Sequence, residues 1–558
     1  MNDNDMNAIR KERDEWESVD VEASVDRMPE TTDDFRTISG LPVRRLYDPT
    51  DIDYSKFVDD VGYPGRYPYT RGIHPTMHRA RAWTRRQVVG VGDAASSNER
   101  HNFVIGQGQT GLSTDFDLPT LTGLDSDDPR SAGEVGRVGV AIDSSEDMGL
   151  MLRGIDLAAT GPSFQINHPA VSLFAMYVDV AQRGNTPLSS LRGTIQNEPL
   201  NDLITMKNYV YPAEACVKLA ADIIEFSAKE MPKFNPISIR AYNLRDSGAT
   251  ADQEIGFAFA LAIAYLEEGL RRGLSIDTFA PRFSWIFYAH NEFLEEVAKF
   301  RAARRLWARL MRERFGATNP GACQLRIHVQ TGGATLTAQE PELNLVRGGF
   351  QALSAVLGGI QSMALSTYDE AYANPSEKAQ RLALHTQELI EFETGVTKTV
   401  DPLAGSYVIE SLTDELETQA AEWIDKIDAE GGATQCSDTG YIEQILADQA
   451  YRHQLAVSEG TTRIVGVNHL RMEEDLSIEL FEPDARIEAQ QKLRLAEMKG
   501  SRDGRAVLSA LHDVEAVARG GANVVPALVE AVKLGATEGE TTKALTEVYG
   551  EHVEKIIF

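Results

Sequence analysis

The chain has 558 residues, 42% of them hydrophobic, which allows a large core with appendages and exceeds what a small binding module needs. With 84 Asp+Glu against 55 Lys+Arg the net charge is -29, a balance that repels nucleic acid and anionic lipid and leaves any phosphate ligand dependent on dedicated arginines. Of the 55 basic residues 15 are Lys, and so acidic and Lys-poor a surface fits a protein kept soluble in concentrated salt, as in a halophilic cytoplasm.

Residues 1 to about 40 are acidic and weakly apolar and read as a disordered tail, with 29–35 extended rather than helical. Asp3, Asp5, Arg10, Lys11 and Glu12 leave no apolar run of signal length there. No later segment reaches about 18 uninterrupted apolar residues, so a soluble cytoplasmic protein is expected. From about 70 to 400, short β-like runs alternate with helical patterns such as 253–272 and 291–314, the signature of a parallel β/α architecture. Eight such units would make an α/β (β/α)8 TIM barrel, here with an N-terminal extended arm and a C-terminal helical region.

Four of the runs are polar at every second position, where a barrel lumen normally carries Val, Ile and Leu. In 237–243, Ser238, Arg240 and Tyr242 oppose Ile237, Ile239 and Ala241; in 325–330, Arg326, His328 and Gln330 oppose Leu325, Ile327 and Val329. Thr194 and Gln196 flank Ile195, and Ser163 and Gln165 flank Phe164. Either a polar channel holds a threaded ligand, or these are surface strands with one solvated face. After about 480 the chain becomes helical and charged through 485–499 and 525–549, ending at Phe558. Cys216, Cys323 and Cys436 are odd in number and far apart, which supports neither a disulfide framework nor a thiolate metal site and predicts buried, small apolar residues.

No nucleotide-binding glycine loop, HExxH pair or Ser/His/Asp signature stands out, so the residues alone define a large β/α enzyme with a polar lumen. Collinear blocks carry more. They include Tyr67-Pro-Tyr-Thr-Arg-Gly-Ile73, Pro75-Thr-Met77, Trp83-Thr84, Arg86-Gln87, Gly111-Leu-Ser113, Phe116-Asp117 and Asp125-Ser-Asp127. Gly193-Thr-Ile-Gln-Asn197, Met231-Pro-Lys233, Phe279-Ala-Pro-Arg282, Gln361-Ser362 and Gly466-Val-Asn468 follow in the same order. From Tyr67 onward the chain resembles the methylmalonyl-CoA mutase family.

The resemblance implies a barrel over 67–410 whose lumen takes the pantetheine arm of coenzyme A, preceded by a lead-in (1–66) and followed by a helical region (411–558). It also implies adenosylcobalamin capping one end and a radical 1,2-shift of the thioester-bearing group. Thr76, Met77, Arg81, Thr84, Gln87, Ser113, Ser163, Thr194, Asn235, Arg282, Ser284, Gln361 and Ser362 fall at CoA or substrate positions, the arginines suiting phosphate. Arg81 also reads as part of a solvated basic face with Arg79, Arg85 and Arg86. Tyr242 and Gln196 match positions around the reacting group, with His328 and Gln330 adjacent; Phe116, Gly333 and Glu370 match the cobalamin or adenosyl side. A lone His328 otherwise reads as a satisfied core histidine.

Several positions depart from the family. No Asp-x-His-x-x-Gly, which bears the cobalt-ligating His, occurs in the sequence, so a separate small cobalamin-binding subunit is expected, in a hetero-oligomer that a G-protein chaperone serves. The family's carboxylate-holding Tyr and Arg are Val88 and Met206, and a usual Ala is Asp115. A buried carboxylate without partners is costly, and Asp115 would add roughly 4 kcal/mol of repulsion at about 4 Å and an effective dielectric of about 20. These three residues resemble the branch of the family that handles 2-hydroxyisobutyryl-CoA, in which an Asp accepts a substrate hydroxyl. Asn243 replaces a His, His74 a Tyr and Ala334 a Trp. The expected reaction is therefore isomerisation of a hydroxyacyl-CoA, with methylmalonyl-CoA to succinyl-CoA as the alternative and an inactive, partner-binding paralogue as a third reading.

Overall fold

Nine short strands, all paired parallel, run through the chain in a computed structural model that describes residues 3–30, 32, 34–472, 478, 480–482 and 484–554. They are β1 (Thr84–Arg86), β2 (Thr114–Asp115), β3 (Ser163–Gln165), β4 (Gly193–Ile195), β5 (Phe234–Asn235), β6 (Ile237–Arg240), β7 (Phe283–Ala289), β8 (Ile327–Thr331) and β9 (Ser362–Ala364). Five form a sheet of order β1-β9-β8-β7-β6, and four a sheet of order β2-β3-β4-β5. Main-chain contacts join the two sheets at both edges: Val89, just past β1, bridges to Thr114 in parallel, and Ser238 N donates to Gln196 O at 2.9 Å.

Most strands are followed by a helix, as parallel pairing requires of its crossovers. The helix Ala251–Arg271 shows why such segments form: good helix formers run from a Thr250/Gln253 capping box, and apolar residues cover nearly its whole circumference. It is buried all round because Tyr407–Ala429 packs over it and over Phe293–Glu313. Tyr407–Ala429 runs across residue 410, where the helical region was expected to begin. Phe293–Glu313 buries three arginines, each with several partners. Arg301 pairs with Asp401 and Glu410, Arg305 with Asp414 and Glu417, and Arg304 donates to the carbonyls of Tyr69, Thr70 and Gly358.

The C-terminal region is helical as expected, in Ile487–Ser501, Gly504–Arg519, Val525–Lys533 and Glu538–Tyr549. The last docks through Asp125, which accepts from Thr537 Oγ1 (2.7 Å) and Gly539 N (2.8 Å). The expected disordered tail is instead helical over Asp3–Glu15, Trp16–Val21 and Glu22–Arg27. Its charges are not free: Arg13 pairs with Asp48 at 3.1 Å, and Arg45 reaches back to Glu17 (2.7 Å) and Glu30 (2.8 Å). Residues 29–30 and 34–35 are non-helical, while Thr31, Asp33 and Phe558 lie outside the described residues. The three cysteines are buried thiols. Among the described residues no helix is long and apolar enough to cross a membrane.

Candidate functional site

The C-terminal ends of the strands surround a cavity of about 280 Å³. Its wall brings together Asp115 and Phe116 at the end of β2, Gln165 of β3, Gln196 after β4, Arg240 of β6, Ile286 of β7 and Gln330 of β8. Alternation explains why they meet: in β8 Ile327, Val329 and Thr331 are buried while His328 and Gln330 are partly accessible, and β3 likewise buries Phe164 between Ser163 and Gln165. Residues 237–243 depart from expectation. The strand stops at Arg240 and Ala241–Asp246 is a helix. Tyr242 and Asn243 still line the cavity, from that helix rather than from an alternating strand.

His328 does not line the cavity. It lies deeper, its Nδ1 2.7 Å from Ser362 Oγ, and burial together with the Arg86 charge lowers its pKa to about 3, so the ring is neutral at pH 7. Arg86 donates to Ser362 Oγ (3.2 Å) and Leu112 O (2.6 Å). The matched blocks contain it, but its inward direction could not be read from a run of three basic residues at 79, 81 and 85 around it. Arg85 points out to Glu388 and Glu391, and Arg81 is exposed.

Below the cavity the strand register places polar residues side by side: Thr84 pairs with Ser362, which pairs with His328, and Ser163 pairs with Thr194, which pairs with Asn235. Asn235 Nδ2 donates to Thr194 Oγ1 (3.0 Å), and Gln165 Nε2 to Ser113 Oγ (2.7 Å). Other expected contacts are engaged with main chain. Ser284 Oγ donates to Ile237 O (3.0 Å), while Gln361 accepts from Ile327 N (2.8 Å) and donates to Gly359 O (2.9 Å). Gln87 N donates to Gln109 Oε1, leaving the buried Gln87 Nε2 without a partner. Arg282 is half-buried near Arg192, Met77 is buried and Thr76 is exposed.

Charge is distributed unevenly around the cavity. Burial pushes the Asp115 carboxyl up to about 7, and no side-chain partner satisfies it among the described residues. Arg240 bonds Asp202, lies 3.5 Å from Glu198 and donates to Glu198 O, while its Nε and both Glu198 carboxyl oxygens have no hydrogen-bond partner among the described residues and burial raises the Glu198 carboxyl to about 8. Lys207, next to Met206, has a left-handed backbone (φ 54°) that turns it outward to pair with Glu443. Met206 itself is at the rim, where Asn243 Nδ2 donates to its sulfur at 3.3 Å. Val88 does not line the cavity; its carbonyl accepts from Gln380.

The mouth is apolar and open, with Leu118, Val138 and Met206 46%, 51% and 52% exposed. Beside it a side chain on Gly333 would collide with Glu370 and meet the Tyr242 hydroxyl at 3.2 Å. Glu370 is accessible here, although crowding protein raises its carboxyl to about 7. Tyr242 is held well above its ordinary value by burial and stays protonated. Ala334 is exposed, its amide donating to Asp246 at 3.3 Å. Among the described residues no group of His, Cys, Asp and Glu is arranged to hold a metal ion.

Parallel β/α architecture with a polar cavity at the strand ends defines a large ligand-binding enzyme, and sequence comparison assigns it further. The methylmalonyl-CoA mutase family model matches residues 36–551, and the chain belongs to that family of coenzyme A mutases, which are isomerases. It is 42% identical over 552 residues to the 2-hydroxyisobutanoyl-CoA mutase large subunit of Aquincola tertiaricarbonis, covering 99% of this chain and 98% of that one. It is 40% identical over 519 residues to a methylmalonyl-CoA mutase of Cereibacter sphaeroides (93% and 73%). Against the methylmalonyl-CoA mutase large subunit of Streptomyces virginiae it is 37% identical over 529 residues (94% and 72%).

Proposed function

We propose that this chain is the catalytic large subunit of an adenosylcobalamin-dependent mutase that interconverts a neutral hydroxyacyl-CoA pair, such as 2-hydroxyisobutyryl-CoA and 3-hydroxybutyryl-CoA. The observation that carries the reading is the unpartnered Asp115 in a cavity whose nearby cations, Arg240 and Lys207, are already neutralised. A substrate carboxylate would meet no free positive charge there and one negative one, whereas a hydroxyl can donate to Asp115. The name of the Aquincola relative supports the same substrate class.

In this reading the two sheets are halves of one eight-stranded barrel, with β5 and β6 as a single interrupted strand. The Val89–Thr114 and Ser238–Gln196 contacts support closure at both seams. The barrel spans 67–410, between the lead-in 1–66 and the helical region 411–558. The polar ring of Thr84, Ser163, Thr194, Asn235, Ser284 and Ser362 lines the path of the pantetheine arm, with Ser113, Gln87 and Gln361 beside it. Thr76, Met77, Arg81 and Arg282 hold the nucleotide end, where guanidinium groups suit phosphate.

The open apolar mouth beside Phe116 and the accessible Glu370 fit a large planar cofactor. Bound there, adenosylcobalamin supplies the hydrogen-atom abstraction that starts the rearrangement. This chain's residues do the rest. Asp115 accepts the substrate hydroxyl. Tyr242 and Gln196 hold the acyl group by hydrogen bonds, Asn243 donates an amide hydrogen without carrying charge, and the neutral His328 and Gln330 support the thioester from the lumen side. In the net reaction the thioester carbonyl group moves from the hydroxyl-bearing carbon to the neighbouring methyl carbon and one hydrogen moves the opposite way, so the formula and oxidation level are unchanged. A small cobalamin-binding subunit is supported by the "large subunit" names of two relatives. A G-protein chaperone and a halophilic cytoplasm complete the proposal.

The test is kcat/KM of the enzyme reconstituted with adenosylcobalamin and its small subunit, on 2-hydroxyisobutyryl-CoA and methylmalonyl-CoA. Preference for the hydroxyacyl substrate is expected. Efficient turnover of methylmalonyl-CoA instead would return the chain to the methylmalonyl-to-succinyl reaction, and no turnover of either would favour an inactive paralogue.

A further inference from the structure

Outside the cavity wall, a buried ionic cluster lies behind β7. Lys299 Nζ lies 2.7 Å from Glu254 Oε2 and 2.5 Å from Glu296 Oε2, all three side chains being fully buried. Arg245 adds contacts of 3.8–4.0 Å to Glu254, Glu295 and Glu296. Burying so many charges destabilises unless each is well paired, and a cluster of this kind needs an explanation beyond packing.

Its inward-facing bonds converge on one residue. Glu254 Oε1 accepts from the Tyr288 amide (2.8 Å), and Lys299 Nζ donates to the Tyr288 carbonyl (2.8 Å). Both main-chain groups of Tyr288 are therefore held by the ion pair rather than left to the sheet alone. By strand alternation its side chain shares a face with Ser284 and with Ile286, which lines the cavity. The ring is 1% exposed and packs on the Tyr242 ring with centroids 5.1 Å apart. Its hydroxyl is directed at the Asp246 carboxylate, one helical turn beyond Tyr242 in Ala241–Asp246. Gly332 supplies the room, since a side chain there would run into the Tyr288 ring.

We propose that Tyr288 is a positioning residue for the mutase reaction: clamped by Glu254 and Lys299, with its hydroxyl toward Asp246, it fixes the Tyr242 ring at the acyl end of the cavity. The inference rests on the role given to Tyr242 above and not on the identity of the acyl group. Tyr288→Phe keeps the ring and removes the hydroxyl that faces Asp246. Tyr242 then samples more orientations, which lowers kcat and leaves CoA binding alone.

The experiment is a double-mutant cycle of Tyr288→Phe and Tyr242→Phe in the reconstituted enzyme, assayed on whichever of 2-hydroxyisobutyryl-CoA and methylmalonyl-CoA it turns over faster. Tyr288→Phe is expected to lower kcat by about 10-fold with KM changed by less than about 2-fold, and to have no further effect in the Tyr242→Phe background. Hydrogen exchange of the 241–246 amides, read on the large subunit alone, should quicken in Tyr288→Phe. An equal loss in both backgrounds, or an unchanged kcat, overturns the proposal. If Tyr242→Phe itself leaves kcat unchanged, the role of Tyr242 has failed and the positioning role falls with it. If Tyr288→Phe does not fold, Glu254→Gln, which weakens the clamp on the Tyr288 amide, is read in the same cycle.

Discussion

Two walls of the cavity treat charge in opposite ways. On one, the Arg240 charge is taken up by Asp202, and the neighbouring Glu198 carboxyl is raised to about 8 by burial. On the other, Asp115 at the end of β2 has no partner and is held near neutrality by burial alone. A saturated cation shapes the wall without selecting a charged ligand, and an unsatisfied carboxylate selects one that can donate. Substrate class thus follows from which charges are already paired rather than from how many the cavity contains.

The largest effect should come from breaking the saturated wall. Arg240→Met leaves the Asp202 carboxylate buried without its cation and should cost about 3–5 kcal/mol of stability, read as a lower denaturation midpoint of the isolated chain. Retained stability would mean that Asp202 is protonated as well as Glu198 and that the wall carries no buried ion pair.

The unsatisfied wall comes next. Asp115→Ala should lose a charge-assisted hydrogen bond, about 1.5–3 kcal/mol or roughly 10- to 150-fold in kcat/KM on 2-hydroxyisobutyryl-CoA. Isobutyryl-CoA, lacking the hydroxyl, should be hardly affected; an equal loss on both would make Asp115 structural. In the wild type the accepting, ionised form exists above a carboxyl pKa of about 7. Because burial raises that value, hydroxyacyl turnover should climb as pH rises through about 7 and fall below it. Asp115→Asn should flatten that step. The smallest effect is expected at Lys207: Glu443→Gln frees it, but the pair is 42% and 37% exposed. Stability should change by less than about 1 kcal/mol, and any gain in methylmalonyl-CoA turnover would show that Lys207 can swing back into the cavity.

Much of this contrast was legible in the chain. Strand alternation at 327–330 and 163–165 follows from one polar and one apolar face, which period-2 patterning records directly. Asp115, Val88 and Met206 stood out as departures, and Met206 is where the cavity needs it, although Val88 turns out to lie off the wall. Tyr242 was placed on a strand because 237–243 alternates perfectly. The chain turns helical at Ala241 instead, and alternation over seven residues cannot separate a strand from a strand followed by one helical turn. The pairing of Arg240 with Asp202 and the clamp of Glu254 and Lys299 on Tyr288 had no sequence signal, since their members lie 11 to 45 positions apart and tertiary packing alone unites them. The helical N-terminal segment has a related cause: its weakly apolar composition is compensated by ion pairs of Arg13 with Asp48 and Asp51 and of Glu17 with Arg45, which propensity does not see.

The unpartnered Asp115 has a consequence for binding as well as for rate. A carboxyl with a pKa of about 7 carries, near neutral pH, a fraction of a proton in the empty cavity. A hydroxyl that donates to its ionised form draws that pKa down, so ligand capture expels the proton to solvent. Association of a hydroxyacyl-CoA at pH 7 is then a proton-releasing event whose measured heat depends on the ionisation enthalpy of the buffer, and a desoxy analogue should show no such dependence.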